Sequence, residues 1–71
     1  MNINEAAKIT GLSKKTLRFY EEKGLFNTQR LDNSYRDYSE ENIECIKKIT
    51  ILRKIGVSIT DILLLQNNII T

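Results

Sequence analysis

Lys14, Lys15 and Arg18 put three cations within five positions of the run LSKKTLRFYEEKG, and Phe19, Tyr20, Glu21 and Glu22 follow directly. Ammonium and guanidinium groups at this density bind anions, and a basic patch is the electrostatic footprint of a nucleic-acid partner. Their order opposes helix stability. Acids are favoured near a helix N-terminus and bases near its C-terminus, so the reversed order costs a few tenths of a kcal/mol per residue, on the order of the usual dipole effect. A bound polyanion would offset that through counterion release; a merely solvated lysine face is the competing reading. A second set, Tyr35, Arg36 and Tyr38, would set a guanidinium and phenol hydroxyls against a sugar-phosphate backbone, with Arg30 as a further cation. For Arg36 an ion pair with Asp37 or Asp32 competes, and for Tyr38 a place in the core under the hairpin. Tyr20 is expected to pack its ring and reach out with its hydroxyl.

Other chemistries find little support. There is no histidine, no evident nucleophile–base pair and no glycine-rich phosphate loop, so no enzyme activity, cofactor or metal site is expected. The single cysteine excludes an internal disulfide. Cys45, between Glu44 and Ile46, has no ligand partner in the chain and is expected to be structural. With 71 residues, 41% hydrophobic and 28% charged, the chain suits one soluble globular domain spanning 1–71. No apolar run is long enough to cross a bilayer, and the start MNINEAAK has no signal organisation, so a cytoplasmic location is expected. The net charge of +2 is small, but the excess of bases lies in residues 1–38.

These side chains must be positioned by short elements. Gly11, Gly24 and Gly56 each follow a segment with helical spacing, where a left-handed glycine would end a helix. Serine stands two residues after Gly11 and two after Gly56, so GLS and GVS read as helix end, apolar residue, N-cap. Four helices follow: residues 4–10, offering Ala6, Ala7 and Ile9 for burial; 13–23, with Leu17 and Tyr20 facing inward; 39–55, with the stripe Ile43, Ile46, Ile49 and Leu52; and 58–68, with Ile59, Ile62, Leu63 and Leu65. At 58, Asp61 stands at the N3 position of a capping-box variant, and Glu40 and Glu41 suit the first turn of the third helix. Between residues 26 and 38 the helical period disappears. Asp32, Asn33 and Ser34 make a turn between extended segments, a short β-hairpin that must lean on the helices.

Two short helices joined by a glycine-containing turn form a helix-turn-helix, here residues 4–23, in which the second helix leads into the major groove with its N-terminal residues. That position meets phosphates and base edges with Lys14, Lys15 and Thr16, and with Arg18 one turn later. Glu21 and Glu22 fall at the end expected to point away from the groove. The hairpin becomes a wing. The fold expected is mainly α with a small β-hairpin, a winged helix-turn-helix.

The chain resembles the DNA-binding domain of the MerR family of bacterial transcription regulators. The resemblance rests on INEAAKITGLSKKTLRFYEEKGL at 3–25, SYRDYSEENIECIKKI at 34–49 and LRKIGVSITDI at 52–62, which together span nearly the whole chain. It implies sequence-specific binding of double-stranded DNA, as a homodimer on a pseudo-palindromic operator, with promoter distortion that lets RNA polymerase use the promoter. It implies that Lys14, Lys15, Thr16 and Arg18 face the major groove, and that Tyr20, Tyr35, Arg36 and Tyr38 contact or position the backbone. The prolines common in the family after the Gly-Leu of the second helix are missing from GLFNTQR. The family's long dimerisation helix would begin beyond Thr71, so this stretch alone is expected to be monomeric. Two other readings compete: a small excisionase with a similar winged helix, and a protein-interaction domain using the apolar end DILLLQNNII.

Overall fold

A computed structural model describes the backbone of residues 1–31 and 36–69, and the side chains of those residues up to Gln66. The first helix, α1 (Ile3–Thr10), is set by its cap. The Asn2 side chain accepts the Glu5 N–H, and the Glu5 carboxylate accepts the Asn2 N–H, a reciprocal capping box. That box starts the helix at Ile3, a residue before the position expected from hydrophobic spacing alone. Gly11 closes the helix in the left-handed conformation, φ 76°, with its N–H on the Ala7 carbonyl. Ser13 at once caps α2 (Lys14–Glu22), its hydroxyl accepting the Thr16 N–H. The GLS reading therefore holds, and Gly24 and Gly56 likewise take positive φ after their helices.

The chain then forms a two-stranded antiparallel hairpin, β1 (Gln29–Arg30) and β2 (Arg36–Asp37), in which Gln29 pairs with Asp37 and Arg30 with Arg36. Ser39 caps α3 (Glu40–Lys54), and Asn42 completes a second capping box. Glu40 and Glu41 in its first turn and Arg53 and Lys54 in its last both suit the dipole. Ser58 accepts the Asp61 N–H at the start of α4 (Ile59–Ile69).

The core runs through every helix and under the hairpin: Ala6, Leu17, Tyr20, Leu25, Phe26, Tyr38, Ile43, Ile46, Ile49 and Ile62. Burial of each of its larger aliphatic side chains contributes roughly 1.5–3 kcal/mol. Of the other residues expected inside, Ala7, Leu52, Ile59 and Leu63 pack half-buried against it, and two are exposed. Ile9 is 50% exposed and Leu65 48%. The inward line of α1 is Ile3, Ala6, Ala7 and Thr10, and that of α4 is Ile59, Ile62, Leu63 and Gln66, each an i, i+3, i+4, i+7 stripe that is buried or half-buried. Ile9 and Leu65 fall off those lines. Leu25 and Phe26, the second at the point where the family's prolines commonly begin, are both buried and carry the chain from α2 into the hairpin.

Candidate nucleic-acid interface

The N-terminal turn of α2 is held by Ser13, and this places the basic residues. Lys14 and Lys15 are exposed on that turn, and Arg18 is exposed one turn on, four residues after Lys14 and on the same face. Thr16 is half-buried. Its hydroxyl shares a 2.9 Å hydrogen bond with Ser13 Oγ, and its N–H donates to the same oxygen at 3.1 Å, so it serves the cap. Phe19 is exposed beside Tyr20 and carries the Lys23 ammonium 5.4 Å from its ring centre. Leu17 and Tyr20 face inward as expected, Tyr20 with 8% exposure.

The hairpin brings the second set of residues toward α2. Arg18 and Arg36 line one open cleft of about 590 Å³, together with Leu31, Asp37 and the first residues of α1. Arg30 stands directly across the ladder from Arg36, so the two side chains share a face of the hairpin. Tyr35 lies outside the described residues. Tyr38 is a core residue, 1% exposed, its ring tilted against Phe26 at 6.1 Å between centroids. Of the two roles considered for it, the buried one is the one it occupies. Burial raises the Tyr38 pKa, with the Glu21 charge adding to the rise, so the phenol stays neutral.

Glu21 is the residue whose partners sequence reasoning missed. It stands at the end of α2 expected to point away from the groove, and no contact with the hairpin was expected of it. Its carboxylate turns to the hairpin: one oxygen accepts Arg36 Nε–H, and the other accepts the Thr28 hydroxyl and, at 3.4 Å, the Thr28 N–H. The ion pair expected for Arg36 thus goes to Glu21, and Asp37 pairs with the Met1 ammonium at 2.8 Å. Burial would raise the Glu21 pKa, but the hydrogen bonds from Thr28 and Arg36 and the Arg36 charge outweigh it and hold the carboxyl below its ordinary value. The available signal was the spacing between an acid at the end of one basic helix and an arginine in the next extended segment, which has no local periodicity to reveal it.

Cys45 is half-buried, as its expected structural role requires. Its thiol donates to the Leu25 carbonyl at 3.5 Å and lies 3.7 Å from Gln66 Nε2, and burial raises its pKa. Among the described residues no group of three or more His, Cys, Asp or Glu comes together as a metal site, and no helix is long and apolar enough to cross a membrane.

Two short helices around a glycine turn, a hairpin against the second, and two packing helices define a winged helix-turn-helix. Comparison with known proteins gives the same class. The family model described as MerR HTH family regulatory protein matches residues 1–68, and the chain belongs to that family. The HTH-type transcriptional regulator CueR of Escherichia coli O157:H7 is 40% identical over 62 residues, which cover 86% of this chain and 46% of that protein. The HTH-type transcriptional regulator AdhR of Bacillus subtilis (strain 168) is 47% identical over 60 residues, 83% of this chain and 43% of that protein. The chain therefore spans less than half the length of these curated relatives. Among solved structures, HiNmlR, a MerR family regulator lacking the sensor domain and bound to promoter DNA, superposes with a TM-score of 0.92 at 28% identity, over 99% of this chain and 54% of that one. These relatives are transcription regulators, which favours the regulator over the excisionase. The agreement with HiNmlR across almost the whole chain also means that the missing prolines leave the fold intact.

Proposed function

We propose that the chain is the DNA-reading domain of a MerR-type transcription regulator. Helix α2 enters the major groove by its N-terminal turn, Lys14, Lys15 and Arg18 meet phosphates and base edges, and Arg36 on the wing grips the sugar-phosphate backbone. Thr16 acts through the cap that orients this turn. Tyr20 and Tyr38 position the helix and wing from the core, and Tyr35 is a backbone contact. The observation that carries this reading is the cleft shared by Arg18 and Arg36, which joins the exposed basic face of α2 to the wing. The whole protein acts as a homodimer on a pseudo-palindromic operator in the cytoplasm, distorting promoter DNA for RNA polymerase, while residues 1–71 alone are monomeric.

Fluorescence anisotropy of a labelled duplex from the protein's own promoter region, over a salt series, tests the reading. With Lys14, Lys15 and Arg36 on phosphates and Arg18 on a base, the slope of log K against log salt is expected to be about −3. Arg18→Ala is expected to weaken binding by roughly 1–3 kcal/mol if it reads a base. A salt-independent affinity, or an Arg18→Ala chain that binds like wild type, refutes the arrangement.

A further inference from the structure

We propose that Glu21 is a positioning residue of the DNA interface: through the Nε–H of Arg36 and the hydroxyl of Thr28 it locks the wing to the recognition helix, so that Arg36 is aimed at the phosphate backbone before DNA arrives. The assignment rests on the DNA-binding reading above.

The geometry is specific. Glu21 sits on the last turn of α2, and its two carboxylate oxygens engage residues on both arms of the hairpin, Thr28 ahead of β1 and Arg36 in β2. The two partners are seven and fifteen residues away in sequence. The Glu21 side chain is only 14% exposed and that of Arg36 25%, so the pair is shielded from solvent well beyond an ordinary surface ion pair. The hairpin cannot hold this pose unaided. Its paired strands are two residues each, and an isolated hairpin is marginal in water. Its register also sets Arg30 opposite Arg36, two cations on one face of the hairpin, and Glu21 pairs with one of them.

The atom engaged also matters. Arginine carries five N–H donors, one on Nε and four on the two terminal nitrogens. Glu21 takes Nε, at the root of the guanidinium. A phosphate is bound through the terminal nitrogens, so the same planar group can bridge a carboxylate behind it and a phosphate in front. The restraint removes rotamer freedom that Arg36 would otherwise lose on binding.

Charge alone and positioning predict opposite signs. Removing a carboxylate close to DNA removes repulsion and should tighten binding. Removing a positioning carboxylate should loosen it. Glu22 is the internal control, because it is the next residue, carries the same charge and is exposed. The experiment is duplex anisotropy over a salt series with wild type, Glu21→Ala, Glu22→Ala, Arg36→Ala and the double variant Glu21→Ala/Arg36→Ala, each checked for folding by circular dichroism. Alanine is a good helix former at both acidic positions. Glu22→Ala is expected to bind as tightly as wild type or tighter. Glu21→Ala is expected to bind roughly five- to tenfold more weakly, to lose about one unit of salt slope as Arg36→Ala does, and to add no further loss in the Arg36→Ala background. A folded Glu21→Ala chain that binds as tightly as wild type, or loses affinity equally with and without Arg36, overturns the assignment while leaving DNA binding in place. A wild-type chain that binds no duplex at low salt even when dimerised through an added coiled coil overturns the DNA-binding reading itself, and this assignment with it.

Discussion

Replacing Tyr38 by phenylalanine should make the protein more stable. The Tyr38 ring is 1% exposed, and its hydroxyl is buried without a hydrogen-bond partner among the described residues. A buried hydroxyl left unsatisfied costs on the order of 1–3 kcal/mol relative to its hydrated state. Phenylalanine keeps the ring, its tilted contact with Phe26 and its place in the core, and omits only the oxygen. The void left by one atom forfeits a few dispersion contacts of roughly 0.1–0.2 kcal/mol each. The balance is a gain of about 1 kcal/mol, which for a domain of this size raises the melting temperature by about 4–8 °C. Thermal unfolding followed by circular dichroism reads it directly, and urea unfolding should show the midpoint moving with an unchanged slope. A Tyr38→Phe chain that melts below wild type refutes the reasoning, because it would mean that the hydroxyl has a hydrogen-bond partner. Duplex binding supplies the second readout. A hydroxyl confined to the core has no phosphate to lose, so Tyr38→Phe should bind DNA as wild type does.

Gly11→Ala should cost about 1–2 kcal/mol in urea unfolding, all of it conformational: an added Cβ meets no atom within 4 Å, but φ 76° is a left-handed backbone. A neutral outcome would mean that the turn between α1 and α2 relaxes to another conformation. Glu21 predicts a pH dependence. Its folded pKa is depressed, so its contribution to stability is complete above the ordinary glutamate value of about 4.3 and is lost as pH falls through the lower folded value. The stability difference between wild type and Glu21→Ala should therefore shrink below about pH 4; a difference that stays constant down to pH 2 would refute the ionic account of that contact.

What the sequence made legible was whatever depends on local chemistry. Ser13, Ser39 and Ser58 are caps because each hydroxyl accepts an N–H of the first turn that has no partner within the helix, and the three glycines end helices because other residues pay a conformational penalty at positive φ. Periodicity found the inward faces of α2 and α3 but overreached on α1 and α4, where Ile9 and Leu65 are apolar without lying on the buried stripe. The capping box of Asn2 and Glu5 was readable in principle, from their types and their spacing of three residues, but the helix start was expected at residue 4. The basic face of α2 was visible because its members fall within five positions of one another. Glu21 was not, because its meaning lies in a partner fifteen residues away across an extended segment, and no period links a helix end to a strand.

The charge order of α2 then has a physical account at both ends. Bases occupy its first turn, where the dipole disfavours them, and acids its last, where the dipole disfavours those as well. A helix selected only for its own stability would reverse both. At the C-terminal end the offset is internal and visible: Glu21 is held by Arg36 and Thr28, so the acid stabilises the attachment of the wing at the expense of the helix. At the N-terminal end Lys14, Lys15 and Arg18 are exposed, and the proposed DNA supplies the offset from outside. The hairpin depends on such ties along its length. The Asn42 side chain donates to the Asn27 carbonyl at 2.9 Å, and the Tyr38 N–H donates to the Met1 carbonyl at 2.7 Å while its ring fills the core. Those contacts fix where the wing sits. Among these ties the one at Glu21 also fixes the direction of an arginine, and that is why its loss should register in DNA affinity and salt slope before it registers in the fold.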